Sequence, residues 1–425
     1  MRSYLVLWIG PAAVLFASLP CATAEAGDVD RQIQFWEARL NNADPEDDVA
    51  PAQLGTAYLL KARESGDYSF YPKAEATLRR AVAINPKSYD ARVALAFALG
   101  AQHKFHDAVA LAERAVKDRP GEPDAYGILG DASLETGRID RAEESYATLV
   151  KLSPSLFAFG RVANLRLAKG DSEGALASLA RAIEAGGARG SSKDELARCF
   201  VTTGAIHWGH GRWDEAERSY RKALEVTPDA YLPLEHLAEL RASQKRHAES
   251  LALYEKAMAL APHPDFFEAV AAIHAEAGRP AEADAWRDRA LAGYRAMIGR
   301  GDVGYYRHLA HFYSDVRPDP AEALKWAKKD LEVRQDALTY DTLAWAHYRA
   351  GEFPEAAKVA AKALADGTDD ANVLFHAGMI FHRAGDKSKA KAHLDRALAS
   401  NPRLPDADEA RKALRLLGPA DGGGR

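Results

Sequence analysis

Residues 121–154 read GEPDAYGILGDASLETGRIDRAEESYATLVKLSP and contain one complete copy of a pattern that recurs along the 425-residue chain. Two segments carry small residues, Gly130 in the first and Ala142 in the second, and Gly137 lies between them. The copy predicts two amphipathic helices of about 13 residues, joined where glycine takes the left-handed conformation that ends a helix. Pro154 then closes the copy, because proline cannot continue a helix.

The pattern repeats at intervals of 34 residues, which prolines mark at Pro86, Pro120 and Pro154 and again at Pro228 and Pro262. The small residues are expected to let the two helices of a pair approach closely. Large residues are expected to fill the space between neighbouring pairs, at Tyr146, Tyr220, Tyr254 and Leu394. A fixed period of this length predicts an array of stacked helix pairs rather than one globular core.

This pattern resembles the tetratricopeptide repeat (TPR) family over residues 49–403, in about ten units. The resemblance implies an all-α fold, a right-handed α-solenoid (superhelix) of helix-turn-helix repeats whose first helices line a concave inner face. We expect six segments along the chain: a signal peptide at 1–24, a capping helix within 25–48, repeat blocks at 49–188 and 189–403, a second capping helix within 404–417, and a disordered tail at 418–425.

Three intervals between prolines exceed the period and indicate insertions. They are the intervals 45–86, 154–228 and 262–402, which are seven, six and four residues too long. The extra residues are assigned to lengthened turns at 63–72, 186–192 and 314–320. The glycine-rich second turn would separate the two repeat blocks.

The first 24 residues have the layout of a secretory signal peptide. Arg2 gives a positive start, residues 4–19 are largely apolar, and Ala22-Thr23-Ala24 is a small-x-small cleavage site. Cleavage after Ala24 would give an exported, periplasmic or secreted protein with no membrane span. Two alternatives stay open: an uncleaved N-terminal anchor, because the apolar segment approaches the minimum spanning length of ~17 residues, and lipidation of Cys21, which the preceding proline disfavours.

Charge and motifs argue against nucleic-acid binding and catalysis. The 56 basic and 61 acidic residues are interspersed, with a net charge of −5 and no basic stripe, so we expect no nucleic-acid partner. The sequence contains no glycine-rich phosphate loop, no HExxH helix and no Gly-x-Ser-x-Gly turn. It therefore predicts that the protein is not an enzyme and has no cofactor.

Cysteine and histidine provide weak candidates for chemistry. Cys199 is the only cysteine beyond the signal peptide, and we expect it to be a small buried filler rather than a reactive thiol. Histidines three residues apart occur as the pairs His103/His106, His207/His210 and His308/His311. The spacing brings two rings to one helix face, but the sequence offers no third ligand, so we expect no metal site.

In the TPR family, positions 2, 5, 9 and 12 of each first helix face the concave groove. Carrying this register over gives the partner-binding candidates Phe97, Asp131, Arg161, Trp208, Arg307, Trp345, Tyr348, Phe375 and His382. Exposed Trp, Tyr and Arg anchor many protein interfaces. The alternative interpretation is that aromatic residues here only pack on the neighbouring helix. The lysine–asparagine clamp for acidic chaperone tails is not matched, because Arg161 is followed by Leu165 and Arg307 by His311.

The sequence therefore favours a non-catalytic scaffold or adaptor in the cell envelope that binds a peptide or protein partner in the concave groove. A second hypothesis is an accessory subunit of an envelope assembly or secretion complex. An enzyme hidden in the array is a remote alternative, because no segment outside the repeats is long enough to form a catalytic domain.

Overall fold

A computed structural model describes residues 28–41, 44–65, 67–189 and 192–418. The expected signal peptide at 1–24 and most of the expected tail lie outside the described residues. Every regular element within them is a helix. The helices are α1 (Asp28–Asn41), α2 (Val49–Ser65), α3 (Phe70–Ile84), α4 (Tyr89–Ala101), α5 (Phe105–Asp118), α6 (Pro123–Glu135), α7 (Ile139–Leu152), α8 (Leu156–Ala168), α9 (Ser172–Arg189), α10 (Lys193–Gly209), α11 (Trp213–Val226), α12 (Tyr231–Ser243), α13 (His247–Leu260), α14 (Pro264–Glu276), α15 (Pro280–Gly299), α16 (Tyr306–His311), α17 (Pro320–Val333), α18 (Ala337–Arg349), α19 (Phe353–Ala363), α20 (Ala371–Arg383), α21 (Lys387–Ser400) and α22 (Ala407–Leu417). A 3-10 turn (Val303–Tyr305) precedes α16, and a π-helical turn (Phe312–Val316) follows it.

The helices pack in successive pairs, such as α6 with α7, α10 with α11 and α20 with α21. First helices of neighbouring pairs also contact each other, as α10 does with α12 and α18 with α20. The first helices therefore form one layer and the second helices another. The predicted all-α solenoid of stacked helix pairs is confirmed.

Close approach within a pair depends on small residues in the first helix. A Cβ added at Gly130 would lie 2.3 Å from the Tyr146 ring, and one added at Gly204 would lie 2.4 Å from the Tyr220 ring. Both rings are fully buried. The predicted close approach within a pair is therefore confirmed, whereas the two rings, expected between neighbouring pairs, lie against the glycine of their own pair. Gly137 ends α6 with φ 70°, in the left-handed region that glycine adopts without strain.

The insertions mostly lengthen helices rather than the predicted turns. Helix α2 continues to Ser65, and α9 continues through Gly186 and Gly187 as far as Arg189. Helix α15 has 20 residues where the second helix α13 has 14. The prediction of lengthened turns was therefore wrong for the first two segments, and in the third a π-helical turn (Phe312–Val316) overlaps the predicted residues 314–320. Each residue added to a helix gains a backbone hydrogen bond that a longer turn does not supply.

The chain forms two compact units. Among the described residues, the C-terminal unit comprises Arg166–Ile298 and the residues from Gly304 onward, and the N-terminal unit comprises the residues up to Leu165 together with Gly299–Val303. The expected boundary between repeat blocks at residues 188 and 189 stays a prediction. Helix α9 is helical to Arg189 and packs against α10.

Two distant parts of the C-terminal unit contact each other at a site that we call the clasp, formed by Trp213, His210, Asp369, Ser400 and Arg403. The Arg403 guanidinium lies 4.5 Å from the centroid of the Trp213 ring. His210 Nδ1 lies 3.3 Å from the Ser400 carbonyl oxygen, and His210 Nε2 lies 3.7 Å from Asp369 Oδ2. Because these residues belong to helix pairs that are not neighbours, the clasp closes the C-terminal unit on itself.

Candidate functional site

The first helices α10, α12, α14, α16, α18 and α20 of the C-terminal unit form a surface that we call the inner layer. It contains most of the partner-binding candidates, together with several buried ionisable groups.

Arg307 in α16 is buried within a network of two carboxylates. Its Nε donates to Asp330 Oδ2 at 2.9 Å, and its Nη2 donates to Asp336 Oδ2 at 3.0 Å. Nη2 also donates to the Thr339 hydroxyl, and Arg334 Nη1 donates to the other Asp330 oxygen at 2.8 Å. Arg307 and Asp330 are 2% and 0% exposed. The network therefore joins α16 to α17 and to the start of α18.

Arg161 has a comparable role in the N-terminal unit. Its Nε donates to Asp131 Oδ1 at 2.9 Å and its Nη2 to Asp131 Oδ2 at 3.0 Å, which links α8 to α6. The Tyr146 hydroxyl donates to Asp131 Oδ1 at 2.8 Å. A bidentate pair between arginine and a carboxylate fixes geometry as well as contributing energy. Arg161 and Asp131 therefore hold neighbouring first helices together.

Trp345 in α18 lies at the centre of an aromatic stack. Its ring stacks on His376 at a centroid distance of 4.1 Å and on Tyr348 at 4.6 Å. The indole Nε1 donates to Asp315 Oδ2 at 2.9 Å. Trp345 is buried, whereas Tyr348 is partly exposed. The partly exposed Tyr348 ring therefore packs on a buried Trp345 ring that is itself held by His376 and Asp315.

Six of the nine partner-binding candidates are buried, namely Phe97, Arg161, Trp208, Arg307, Trp345 and Phe375. The other three, Asp131, Tyr348 and His382, are partly exposed. The buried side chains have the contacts expected from the alternative interpretation, in which such residues pack on neighbouring helices. A role in partner binding stays a prediction for all nine residues.

A buried histidine–aspartate pair links α20 to α18. His376 Nδ1 lies 2.9 Å from Asp341 Oδ2. Burial works against the protonated ring, but the charge and hydrogen bond of Asp341 outweigh it and raise the pKa of His376. Burial, together with the charge of His376, lowers the pKa of the nearby His311 to about 3. His376 is therefore the histidine of the two that takes up a proton at the higher pH.

Replacing Asp341 with asparagine is expected to lower the pKa of His376 below its value in the parent protein, because burial then dominates. In the parent protein, the raised pKa stabilises the fold below the unfolded histidine pKa of about 6.5, and this contribution is lost as pH rises through the folded value. The measurement is an NMR titration of the His376 ring, assigned with His376→Gln. Asp408→Asn, in the exposed first turn of α22, is the control and should leave the titration unchanged. An unchanged His376 pKa in Asp341→Asn would contradict the assignment.

Four carboxylic acids lie together on α12 and α14, and we call Glu235, Glu239, Asp265 and Glu268 the acid cluster. Glu239 Oε2 lies 3.0 Å from His236 Nδ1, and Asp265 Oδ1 lies 3.5 Å from His308 Nε2. The Tyr294 hydroxyl donates to Glu268 Oε2 at 2.8 Å. Glu235 makes no hydrogen bond or ion pair with any residue in the described part of the chain.

Burial, reinforced by neighbouring acids, raises the pKa of both Glu235 and Glu268 to about 8. The groove register would have identified Glu235 and Glu239, because they occupy positions 5 and 9 of their repeat. The partner-binding candidates are mainly aromatic and basic residues, so these glutamates are not among them. Strongly perturbed carboxyl groups in a partly open surface mark a candidate site.

Tyr146, Tyr220 and Tyr254 occupy the same position of α7, α11 and α13, and Tyr294 lies further along α15. The four hydroxyls differ in what they contact. The hydroxyls of Tyr146 and Tyr294 donate to carboxylates of first helices. Those of Tyr220 and Tyr254 are buried and have no hydrogen-bond partner among the described residues.

Tyr146→Phe should therefore lower the free energy of unfolding by roughly 1–3 kcal/mol, since a hydrogen bond to a charged group is lost. Tyr220→Phe should be neutral or slightly stabilising, because it removes a buried hydroxyl that has no partner. Urea unfolding of the two variants gives the comparison. A larger loss for Tyr220→Phe than for Tyr146→Phe would contradict these contacts.

Other candidate chemistry is weaker. Cys199 is fully buried, and burial raises the pKa of its thiol to about 12, so the interpretation as a packing residue is confirmed. Within the described ranges, no three His, Cys, Asp or Glu side chains are arranged to hold a metal ion. Over those same residues, none of the helices combines the length and the apolar character needed to cross a membrane.

Solved structures with related folds include human IFIT1 in its dimer with m7Gppp-AAAA, at 15% identity and a TM-score of 0.46, covering 88% of this chain and 86% of that chain. Yeast Tom70 aligns at 13% identity and a TM-score of 0.39, covering 92% of this chain and 95% of that chain.

Curated relatives match over parts of their length. Human protein O-mannosyl-transferase TMTC1 is 27% identical over 216 residues, which are 51% of this chain and 23% of that protein. Mouse tetratricopeptide repeat protein 36 is 32% identical over 103 residues, which are 24% of this chain and 54% of that protein. The chain therefore spans less than two thirds of either relative.

Two family models, both described as tetratricopeptide repeat, match the sequence. One matches residues 93–156, 201–264 and 342–408, and the other matches residues 156–229. Together they cover more than half of the chain, and the matched residues coincide with the stacked helix pairs. The chain belongs to the tetratricopeptide repeat family.

Proposed function

We propose that this protein is a non-catalytic scaffold of the cell envelope that binds a peptide or protein partner on the inner layer of the C-terminal unit. Tetratricopeptide repeat folds are in general protein-interaction scaffolds, and they present extended surfaces for binding. The observation that carries the proposal is the partly exposed Tyr348, held on the buried Trp345 by ring stacking at 4.6 Å.

The buried Trp345 ring beneath Tyr348 favours binding because it reduces the conformational entropy that Tyr348 loses when a partner binds. Trp345 is fixed by its stack on His376 and by its hydrogen bond to Asp315. A contact residue that is already held in one conformation loses little entropy when a partner binds. His382, one turn beyond the buried Met379 on the neighbouring α20, extends the same surface.

Site-specific photo-crosslinking tests this surface. A photoreactive amino acid at Tyr348 or at His382 is expected to give defined adducts with a protein partner in intact cells. The control is the same amino acid at Lys358, which is 71% exposed on the second helix α19. Stronger adducts at Lys358 than at both inner positions would overturn the proposal.

The proposed location rests on the N-terminal sequence alone and has its own test. Export with cleavage after Ala24 would give a mature protein that starts at Glu25, and N-terminal sequencing of the purified protein would show this. Ala22→Arg together with Ala24→Arg should block cleavage. A chain that retains residues 1–24 in the membrane fraction would support the uncleaved anchor instead, and one that starts at a lipid-modified Cys21 would support the lipoprotein alternative.

A further inference from the structure

We propose that the acid cluster of Glu235, Glu239, Asp265 and Glu268 binds the cationic side chains, lysine or arginine, of a polypeptide partner. This inference rests on the proposed function, because it names the chemistry of the partner that the inner layer would bind. It goes beyond that function by predicting a charge preference.

The cluster has an excess of acids over the bases that face it. His236 and His308 contact Glu239 and Asp265 at 3.0 and 3.5 Å, but Glu235 has no such partner in the described part of the chain. Asp315 and Arg287 also face Glu268. The Arg287 Nη1 donates to Asp284 at 2.8 Å, so its charge is already shared.

Two buried hydroxyls provide a second, independent indication of a ligand. Tyr220 and Tyr254 are 0% and 1% exposed, and their hydroxyls lack a hydrogen-bond partner within the described ranges. At the same repeat position, the Tyr146 hydroxyl donates to Asp131 on the first helix of its own pair, 15 residues earlier in the sequence. The equivalent direction brings the Tyr254 hydroxyl towards Glu239 of the acid cluster, which also precedes its tyrosine by 15 residues.

Contacts of the two rings agree with that direction. The Tyr220 ring stacks on His236, which follows Glu235 in α12, at a centroid distance of 5.3 Å. Burial, followed by the charges of Glu239, Glu235 and Asp265, raises the pKa of the Tyr254 hydroxyl. A hydroxyl oxygen accepts hydrogen bonds as well as donating them, so an ammonium or guanidinium group can satisfy it.

The shape of the cluster favours an organic cation over a metal ion. A metal site needs several ligands that converge on one point, and none is formed among the residues that the structure describes. The four carboxyls are instead spread over two neighbouring first helices. Long lysine or arginine side chains of an extended segment can reach separate carboxylates.

The raised pKa values give the proposal a specific pH signature. Because Glu235 and Glu268 have pKa values near 8, cation binding must release protons at neutral pH. The affinity should therefore rise between about pH 6 and about pH 8.5, while lysine, with its pKa of about 10.4, stays charged. Although burial opposes it, the hydrogen bond to Glu239 also raises the pKa of His236, and deprotonation of this ring changes the affinity in the same direction, so the variants below are needed to isolate the glutamates.

The test is fluorescence anisotropy with the full mature chain and a labelled peptide of alternating glycine and lysine. Matched peptides carry glutamine or glutamate in place of lysine. The site variant is Glu235→Gln with Glu268→Gln, which keeps the side-chain shape and removes two charges. The control is Glu225→Gln with Glu255→Gln, which removes two charges from exposed positions on the second helices. Melting curves of both variants show that they fold.

At about pH 8.5 we expect the lysine peptide to bind about tenfold tighter than the glutamine peptide. The site variant should lose about tenfold in affinity for the lysine peptide and most of the pH dependence, whereas the control variant should keep both. Equal binding of the lysine and glutamine peptides would overturn the charge preference, while adducts at Tyr348 and His382 would leave the proposed function standing. Equal loss in the site and control variants, or no binding of the lysine peptide, would overturn the acid cluster as the site.

Discussion

Arg307→Ala is expected to lower the free energy of unfolding by about 3–5 kcal/mol, because it leaves buried charge without its partner. Asp330 is fully buried and would keep only Arg334, and Asp336 would lose its ion pair. The network joins α16, α17 and α18, so the loss should destabilise three neighbouring helices together. Urea unfolding followed by circular dichroism measures the effect.

The pH dependence of the free energy of unfolding at low pH supplies a second measurement. Although burial opposes it, the charge of Arg307 and the Thr339 backbone N–H lower the pKa of Asp336. Stability from this lowered pKa is present above the ordinary aspartate value of about 3.9 and is lost as pH falls through the folded value. Arg307→Ala should therefore move acid unfolding to higher pH. Arg411→Ala, which removes a half-exposed arginine from α22, should leave both measurements unchanged. A loss under about 1 kcal/mol in Arg307→Ala would contradict the network.

The period in the sequence was sufficient to predict the helix pairs but not what each first helix contacts. Gly130 and its equivalents predicted which helices pair, whereas Tyr146 was expected between neighbouring pairs and lies against Gly130 within its own repeat. Arg307 was placed on a first helix correctly. Its partners Asp330 and Asp336 lie on the following helix and loop, and no repeat rule specifies them. A charged residue at a groove position therefore looks the same in sequence whether it meets a ligand or a buried carboxylate.

Contacts between distant repeats were also beyond the sequence. The clasp joins His210 to Ser400, which are 190 residues apart. Such a contact depends on the small rotation between successive helix pairs, which accumulates along the solenoid. Helices α9 and α15 are also longer than expected, because the sequence placed the extra residues in turns instead.

The acid cluster was predictable in position but not in chemistry. Positions 5 and 9 identify Glu235 and Glu239 as groove residues, and an acidic residue there usually reads as a solvated surface charge. Its significance comes from the burial that raises the pKa of Glu235 and from the hydroxyls of Tyr220 and Tyr254 beside it. Both require the packing of three helix pairs to be known.

Trp345→Ala is the second variant for which we expect a large effect, a loss of about 3–5 kcal/mol in the free energy of unfolding. The substitution removes a side chain that is 2% exposed, together with its stacks on His376 and Tyr348. It also removes the indole N–H that donates to Asp315. Trp345→Phe keeps an aromatic ring and should lose only part of this, about 1–3 kcal/mol, mainly from that hydrogen bond.

Comparison with Tyr348→Ala separates packing from binding. Because Tyr348 is partly exposed, its replacement should cost less stability than Trp345→Ala, yet it should weaken photo-crosslinking at His382. Hydrogen exchange of Trp345→Ala should show faster exchange across α18 and α20, since these helices pack through the lost ring. If Trp345→Ala instead keeps the stability of the parent protein and loses only the crosslinks, Trp345 is a partner contact, as the groove register predicted. The interpretation of Trp345 as a buried packing residue that holds Tyr348 would then be wrong.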